Sequence, residues 1–390
     1  MVLKRDYDAI VIGGGSLGLW GGHFLSTAGI RVLVLEREQG VGRLSTNQNA
    51  RLYSALFYSN AEVASLTRAS LPFLDCASSR FFREPLTRPI QVFYCVAKEN
   101  RDEEIRRLFM KAEASGSRDW RDVTGTDLAA MLPYVSCNRR AAGILENGRR
   151  LNVFAITSAL RASIENPGGY VLDRTDLLDV ERTAAGSWKL ITTNGTFTAP
   201  VVVNAAGAKC DVVNRWFGIT EIGIQCFKRH RLIAHIRQPD RLPPLNQFVF
   251  LQSFYFATED DGQLMMSAED ETLSHPTDTV PDPAEMSKIR RLAQECLGVS
   301  FVEEEQWATA GHRPFVADRV PVIGPDPEEP SFFHLSAPGG YGMQAGPAMG
   351  LSLASQVLRR NVPSQLEQYG VTWEAMLPAR LRKPSAQTVG

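Results

Sequence analysis

Asp8-Ala9-Ile10-Val11-Ile12-Gly13-Gly14-Gly15-Ser16-Leu17-Gly18, then Leu19 to Ala28, then Ile30-Arg31-Val32-Leu33-Val34-Leu35-Glu36, is the stretch that decides the fold. It reads as a strand, a glycine turn, a helix and a second strand closed by an acid. Each part has a task in holding a dinucleotide. Gly13 permits the tight turn, Gly15 lets backbone approach a pyrophosphate, and Gly18 lets the helix lie close to the strand. Ser16 opens the helix, whose free N–H groups and positive dipole end suit negative charge. Glu36 lies eighteen positions beyond Gly18, where a carboxylate accepts from ribose hydroxyls, and Arg37 follows it. An acid there disfavours a 2′-phosphate and argues against NADP. FAD and NAD both remain open from this motif alone. A tight turn in some other α/β protein would not need an acid at that spacing.

The chain has 390 residues, a length for two domains, and 44% apolar residues, ample for sizeable cores. Net charge is −1 with acids and bases interspersed, which gives no electrostatic case for nucleic acid or a membrane surface. Cys76, Cys95, Cys137, Cys210, Cys226 and Cys296 are scattered without a CxxC pair, as in a reducing compartment. Met1 leads straight toward the first strand, leaving no room for a signal peptide, and no apolar run approaches the roughly 18–20 residues that span a bilayer. The expectation is a cytoplasmic protein without stable membrane insertion, a monomer or homodimer. His23, His230, His235, His275, His312 and His334 form no HxxxH or HExxH pattern, so no metal site is expected. His312 and His334 read as packed or turn histidines.

Two further landmarks lie downstream. Val201-Val202-Val203-Asn204-Ala205-Ala206-Gly207 is a short apolar run closed by small residues, the signature of a strand buried on both faces of a parallel sheet. Before it, Tyr170 to Leu172, Leu177 to Val180 and Trp188 to Thr192 read as short antiparallel strands, with turns at Ala185-Gly186-Ser187 and Asn194-Gly195. Near the end, Gly311 to Gly324 reads as a turn followed by an apolar stretch, and Phe332 to Ala337 as a strand. Pro338-Gly339-Gly340-Tyr341-Gly342-Met343-Gln344 then opens a helix from about Ala348 to Leu358. Glycine-rich helix entries at opposite ends of one chain suggest a ligand gripped at both its ends. FAD is long enough for this.

The intervening segments carry amphipathic helices, Arg101 to Ala114 and Glu285 to Leu297, and two strands around Gln252-Ser253. The organisation expected is α/β, with an α+β substrate part. A Rossmann-like FAD-binding domain would be assembled from residues 1–83, 150–221 and 311–390. A discontinuous mixed-sheet substrate domain would come from 84–149 and 222–310.

With these landmarks the chain resembles the D-amino acid oxidase superfamily of FAD enzymes, and within it the bacterial D-arginine dehydrogenases. The likeness runs through Leu35-Glu36-Arg37-Glu38, Ser45-Thr46, Val203 to Ala208, Ser253-Phe254-Tyr255, Arg313 with Phe315 to Asp318, Gly339 to Gln344, and Glu374 to Leu377. The nucleotide motifs are shared by many flavoproteins; the Gly-Gly-Tyr-Gly-Met-Gln run is far more discriminating. The resemblance implies that Ser45, Thr46 and backbone around Ala50 and Arg51 line the flavin. It places Gly340, Tyr341, Gly342, Met343 and Gln344 at the pyrimidine end, Gly207 near the phosphates, and backbone near Leu177 by the adenine. Arg313, Tyr255 and Arg229 match positions that hold a substrate carboxylate, for which a guanidinium supplies two parallel charge-assisted bonds. For Arg229 there is an alternative, since Lys228 to Arg231 also reads as a solvated strand face. Tyr341 and Gln344 are candidates for orienting the amine end.

The departures bear on substrate. The acid that receives a guanidinium in that family falls on Ile90, a histidine and a tyrosine fall on Leu52 and Phe57, and Phe248 replaces a smaller aliphatic residue. A buried cation without a partner costs several kcal/mol, so arginine is disfavoured. The expected reaction is oxidation of an amino acid C–N bond to an imine by hydride transfer to flavin N5, the substrate being an apolar D-amino acid. A secondary or N-substituted amino acid, as in glycine and sarcosine oxidases, or a tailoring reaction on a larger amine, is the alternative. A non-catalytic binding protein built on the flavin fold is a third. The electron acceptor would be oxygen or a quinone. No cysteine lies between Trp307 and Arg313, so the flavin is expected to be non-covalent.

Overall fold

The computed structural model describes residues 5–76, 85–96, 101–136 and 141–382. Its first layer is a six-stranded sheet in the order Val322–Pro325, Phe332–Ser336, Val201–Asn204, Ala9–Ile12, Val32–Leu35, Tyr170–Leu172. All neighbours are parallel except the first pair. The four-residue apolar runs Ala-Ile-Val-Ile and Val-Leu-Val-Leu are buried throughout, because helices cover one face of the sheet while Trp188, Leu190 and Phe197 of an antiparallel sheet pack on the other. Helix Ser16–Thr27 lies between Val153–Glu165 and Gly346–Val357 on one side, the three sharing a core with Val11, Val34 and Val203.

Tyr170–Leu172 is a correction to the sequence reading. It is the parallel edge of this sheet, with Val171 opposite Val34, and not an antiparallel strand. Its three residues carry too little pattern to choose a partner. The other strands of that region do form an antiparallel sheet of three, Leu177–Arg182, Trp188–Thr192 and Gly195–Ala199.

The second layer is a ten-stranded mixed sheet. Its path runs Thr272–Ser274, Gln225–Ile236, Leu264–Ser267, Tyr255–Thr258, Gln247–Leu251, Thr87–Val96, Ala142–Leu151, Leu52–Tyr53. Phe301–Phe315 joins it on Gln225–Ile236 and Trp120–Thr124 on Ala142–Leu151. Thus Leu52–Tyr53 and the end of Phe301–Phe315, both inside segments assigned above to the nucleotide part, bond to this sheet. The amphipathic helix Pro283–Leu297 buries Met286, Ile289, Leu292 and Ala293 against it, capped by the Asp282 carboxylate on the Ala284 N–H at 2.8 Å.

Gly311 to Pro314, read above as a turn, continues this strand, with Gly311 opposite Arg229 and Arg313 opposite Phe227. Glycine and proline misled because both are turn formers. Pro314 is tolerated because Phe301–Phe315 has Gln225–Ile236 as its ladder partner and is otherwise an edge. Gln252 and Ser253 turn the chain between Gln247–Leu251 and Tyr255–Thr258 with φ of 41° and 43°, setting Phe250 opposite Tyr255.

Candidate active site

The glycine turn divides into positions that pack on protein and positions that face a cavity. Gly13 has φ 111°, and a Cβ there would stand 2.4 Å from the Ala205 carbonyl oxygen. At Gly18 a Cβ would stand 1.9 Å from the Gly13 oxygen, so both positions admit only hydrogen. At Gly15, by contrast, a Cβ meets only Thr46 Oγ1 at 3.3 Å, and at Gly207 nothing within 4 Å. Those two border open space. Ser16 joins the ends of the chain: its N–H donates to Thr46 Oγ1 at 3.0 Å and its hydroxyl to the Gly342 carbonyl at 2.8 Å.

Glu36 folds back on the turn. Its carboxylate accepts from the Gly14 N–H at 2.7 Å and the Glu38 N–H at 2.8 Å, and burial raises its carboxyl above the ordinary range. It therefore braces the glycine loop and lies outside the main cavity, as do Gly13 and Gly18. Arg37 pairs with Glu38 on the surface, and Leu177 packs beside the first sheet. Arg51 departs further from expectation. Its φ is 54° and its guanidinium turns to Glu259 at 3.0 Å, which also holds the buried Arg150 at 2.7 Å. Ala50 lines the cavity; Arg51 does not.

One continuous cavity gathers most of the remaining candidates. Gly15, Ser16, Ser45, Thr46, Ala50, Gly207, Gly342, Met343 and Gln344 line its nucleotide side, and Leu52, Phe57, Arg229, Tyr255, Arg313 and Gly340 its far end. Among the described residues lining it, none is an acid. Arg313 and Arg229 stand on neighbouring strands, Arg313 opposite Phe227 and Arg229 two residues further along, diagonally across on the same face. Arg229 is buried and Arg313 nearly so. Glu271 approaches each guanidinium only to 3.8 Å, while accepting a 2.8 Å bond from Arg319. Burial and the adjacent Arg229 lower the Arg313 pKa to about 10, which leaves it cationic at neutral pH. The run Lys228 to Arg231 is buried at every position, so it is not a solvated face. Asp270 explains this: its carbonyl accepts from Arg229 Nε at 2.7 Å, and its carboxylate from the His230 N–H at 2.9 Å and meets His230 Nδ1 at 2.6 Å.

Ile90 and Phe248 lie one layer back, in an apolar cluster with Leu52, Phe250 and Tyr255. Phe250, not singled out in the sequence, is the ring that reaches the cavity. Its signal was there, because a period of two along a strand puts residues 248 and 250 on one face. Phe57 stacks near-parallel to Phe250 at 5.9 Å and has the Arg313 Cζ 5.8 Å from its centroid. Tyr341 packs on Phe57 at 5.3 Å, outside the cavity itself, and burial raises its phenol pKa.

Gln344 needs a correction. Its Oε1 accepts from the Ser54 N–H at 3.2 Å and its Nε2 donates to the Phe57 carbonyl at 2.7 Å and to Thr67 at 3.2 Å. Its polar atoms are committed to the protein, which suits bracing residues 54–57 and not orienting an amine. His312 lines the cavity, where a packed histidine was expected; burial lowers its pKa, and its Nε2 is buried without a partner. His334 is fully buried against Asp326 at 3.0 Å, a structural pair.

Residues 8–356 match the family model described as DAO, FAD dependent oxidoreductase. The chain belongs to this family. It is 22% identical to the glycine oxidase of Geobacillus kaustophilus over 95% of this chain and 98% of that protein. The crystal structure of that oxidase superposes with a TM-score of 0.79, at 20% identity, over 95% of this chain and 99% of the other. L-proline dehydrogenase from P. horikoshii superposes with a TM-score of 0.80, at 18% identity, over 97% and 98%. A glycerol 3-phosphate dehydrogenase of Caloramator mitchellensis is 23% identical over 53% of this chain and 43% of that protein.

The family's cofactor, FAD, fits what the chain presents. Space lies open over Gly207, and the cavity borders Gly15, where a Cβ would crowd Thr46 Oγ1 at 3.3 Å; a pyrophosphate would meet the backbone here, and the helix Ser16–Thr27 starts beside it. The cavity then runs on past Ser45, Thr46 and Gly342 to the arginine pair, so that residues from both ends of the chain line it. Among the described residues, no helix is long and apolar enough to cross a membrane.

Proposed function

We propose that this FAD-dependent oxidoreductase oxidises the carbon–nitrogen bond of an amino acid whose side chain is apolar. The observation that carries the reading is the Arg313–Arg229 pair. Two guanidiniums, one buried and one nearly so, face one cavity, and the described carboxylate nearest to both, Glu271, stops at 3.8 Å. Such a pair calls for an anion of the ligand, and a planar carboxylate matches the guanidinium fork. Tyr255 lines the cavity beside them and supplies a further donor. The relatives named as acting on glycine and L-proline support an amino acid over other carboxylates.

When bound, FAD supplies the electron acceptor for the hydride that leaves the substrate carbon. The chain supplies placement. Arg313, Arg229 and Tyr255 fix the carboxylate, and Leu52, Phe57 and Phe250 wall the side chain. The absence of an acid among the lining residues leaves a cationic side chain without a partner, so D-arginine is rejected. The ammonium proton is released to water entering the cavity. Residues 1–83, 150–221 and 311–390 hold the cofactor in this reading; of the substrate wall, 222–310 supply Arg229, Phe250 and Tyr255, while Leu52, Phe57 and Arg313 come from the first and last of the cofactor segments.

Anaerobic bleaching of the bound flavin by a panel of D-, L- and N-methyl amino acids, with proline and D-arginine included, tests this. An apolar member of the panel is expected to reduce the flavin fastest. Rapid reduction by D-arginine, or by no amino acid at all, would overturn the reading.

A further inference from the structure

We propose that Glu146 is a positioning residue for the substrate wall, acting through Ser54 and Ala55 on Phe57 and on the turn that carries Gln344. The inference rests on the functional reading above, in which Phe57 walls the substrate side chain.

Glu146 is 1% exposed on strand Ala142–Leu151. Its Oε2 accepts from the Ser54 hydroxyl at 2.5 Å and its Oε1 from the Ala55 N–H at 2.6 Å. The Ser54 hydroxyl has one hydrogen. Given to the carboxylate, it leaves the Tyr94 phenol to donate to Ser54 Oγ at 2.6 Å, beside the Leu56 N–H at 3.2 Å. The same segment is tied to the cofactor side: the Ser54 N–H donates to Gln344 Oε1, and the Phe57 carbonyl accepts from Gln344 Nε2. One carboxylate therefore stands at the end of an unbroken set of bonds whose other end is two walls of the cavity. Nothing in the proposed chemistry uses it, and a buried acid with no such task would be replaced at no loss by an apolar group.

The set depends on charge. An ionised carboxylate accepts both bonds; a protonated one loses an acceptor and gains an O–H that needs one. Burial raises the Glu146 carboxyl to about 7, within the working range of an enzyme. The groups that face it are Tyr53, Tyr94, Lys111 and Asp119, with Arg68, Asp75 and Arg118 across a second cavity. Burial holds both phenols un-ionised well above neutral pH. Burial lowers the Lys111 pKa, and Lys111 favours the charged carboxylate, while Asp119 opposes it. The second cavity also reaches Glu146 from the side away from Arg313, so its proton has an exit that avoids the substrate.

The test uses the FAD-loaded enzyme and two readouts. Benzoate, a flat apolar carboxylate, probes the site through the flavin absorbance from pH 5.5 to 8.5. Amide exchange over residues 52–58, corrected for intrinsic rate, probes the segment. Wild-type protein is expected to bind benzoate about fivefold more tightly at pH 8 than at pH 6. Glu146→Gln flattens that profile to below about twofold and raises exchange at Ala55 and Leu56 about tenfold. Ser54→Ala removes a donor to the carboxylate, so it shifts the midpoint of the profile upward, which a merely structural role would not do. It decides the matter alone should Glu146→Gln not fold. A wild-type profile in both variants overturns the proposal, as does altered exchange with an unaltered profile. Wild-type enzyme that holds FAD but ignores benzoate at every pH refutes the functional reading instead, and exchange then judges the brace by itself.

Discussion

The Arg313 guanidinium lies so close to the Gly340 backbone that a Cβ on residue 340 would stand 2.8 Å from its Cζ and Nε. Arg313, proposed to clamp the substrate carboxylate, and the glycine turn at the far end of the chain are thus packed as one unit. Gly340→Ala forces the guanidinium aside by the better part of an ångström. A shift of that size costs on the order of 100-fold in kcat/KM, near 2.7 kcal/mol. Steady-state kinetics at unchanged flavin content is the measurement, and an unchanged kcat/KM would remove Arg313 from the clamp.

Glu271 makes a prediction of opposite sign. It sits 3.8 Å from both Arg229 and Arg313 and damps their positive potential without a hydrogen bond to either. Glu271→Gln therefore tightens carboxylate ligands, by about 1 kcal/mol or fivefold for a partly exposed charge. Titration of the flavin spectrum with benzoate reports it. Weaker binding would mean that Glu271 holds the guanidiniums in place.

These two cases show what the sequence could and could not disclose. Gly13, Gly15 and Gly18 carry their role in local spacing, since turn, helix start and strand contact all fall within six residues. Arg313 was found as a residue but placed on a turn, because Gly311 and Pro314 are turn formers and the strand around them exists only by pairing with Gln225–Ile236. Lys228 to Arg231 looks solvent-facing for the same reason: its burial is imposed by Asp270 and by strands distant in sequence. Glu146 had no signal at all. Nothing in Ile144-Leu145-Glu146-Asn147 distinguishes a buried acid from a strand-end one; its partners lie about ninety residues away.

Glu36 was assigned to a ribose by spacing, yet both of its oxygens already accept backbone N–H groups. Glu36→Ala strands the Gly14 N–H, a loss of about 1–3 kcal/mol, felt where the loop meets a pyrophosphate. FAD retention after gel filtration, and the dissociation constant by fluorescence, are expected to weaken about tenfold or more. Glu36→Gln keeps one acceptor and is expected to fall between. Full retention by the alanine variant would confine Glu36 to a dispensable contact.

Stability tests Glu146 separately from any ligand. Burial raises its carboxyl from 4.5 to about 7. The folded chain therefore holds a proton that the unfolded chain has released, and the sign follows. The group disfavours folding as pH rises from 4.5 to 7, with no further change above that. A shift of this size corresponds to at most about 3 kcal/mol. Glu146→Gln has no charge to bury, so its urea midpoint is expected to vary less with pH across that window than the wild-type midpoint does. The two should lie closest near pH 4.5 and diverge toward pH 7, with the variant relatively gaining. Parallel profiles would show that the bonds from Ser54 and Ala55 offset the burial of the carboxylate, which would then stay charged across the working range, and the pH dependence proposed for the brace would fall.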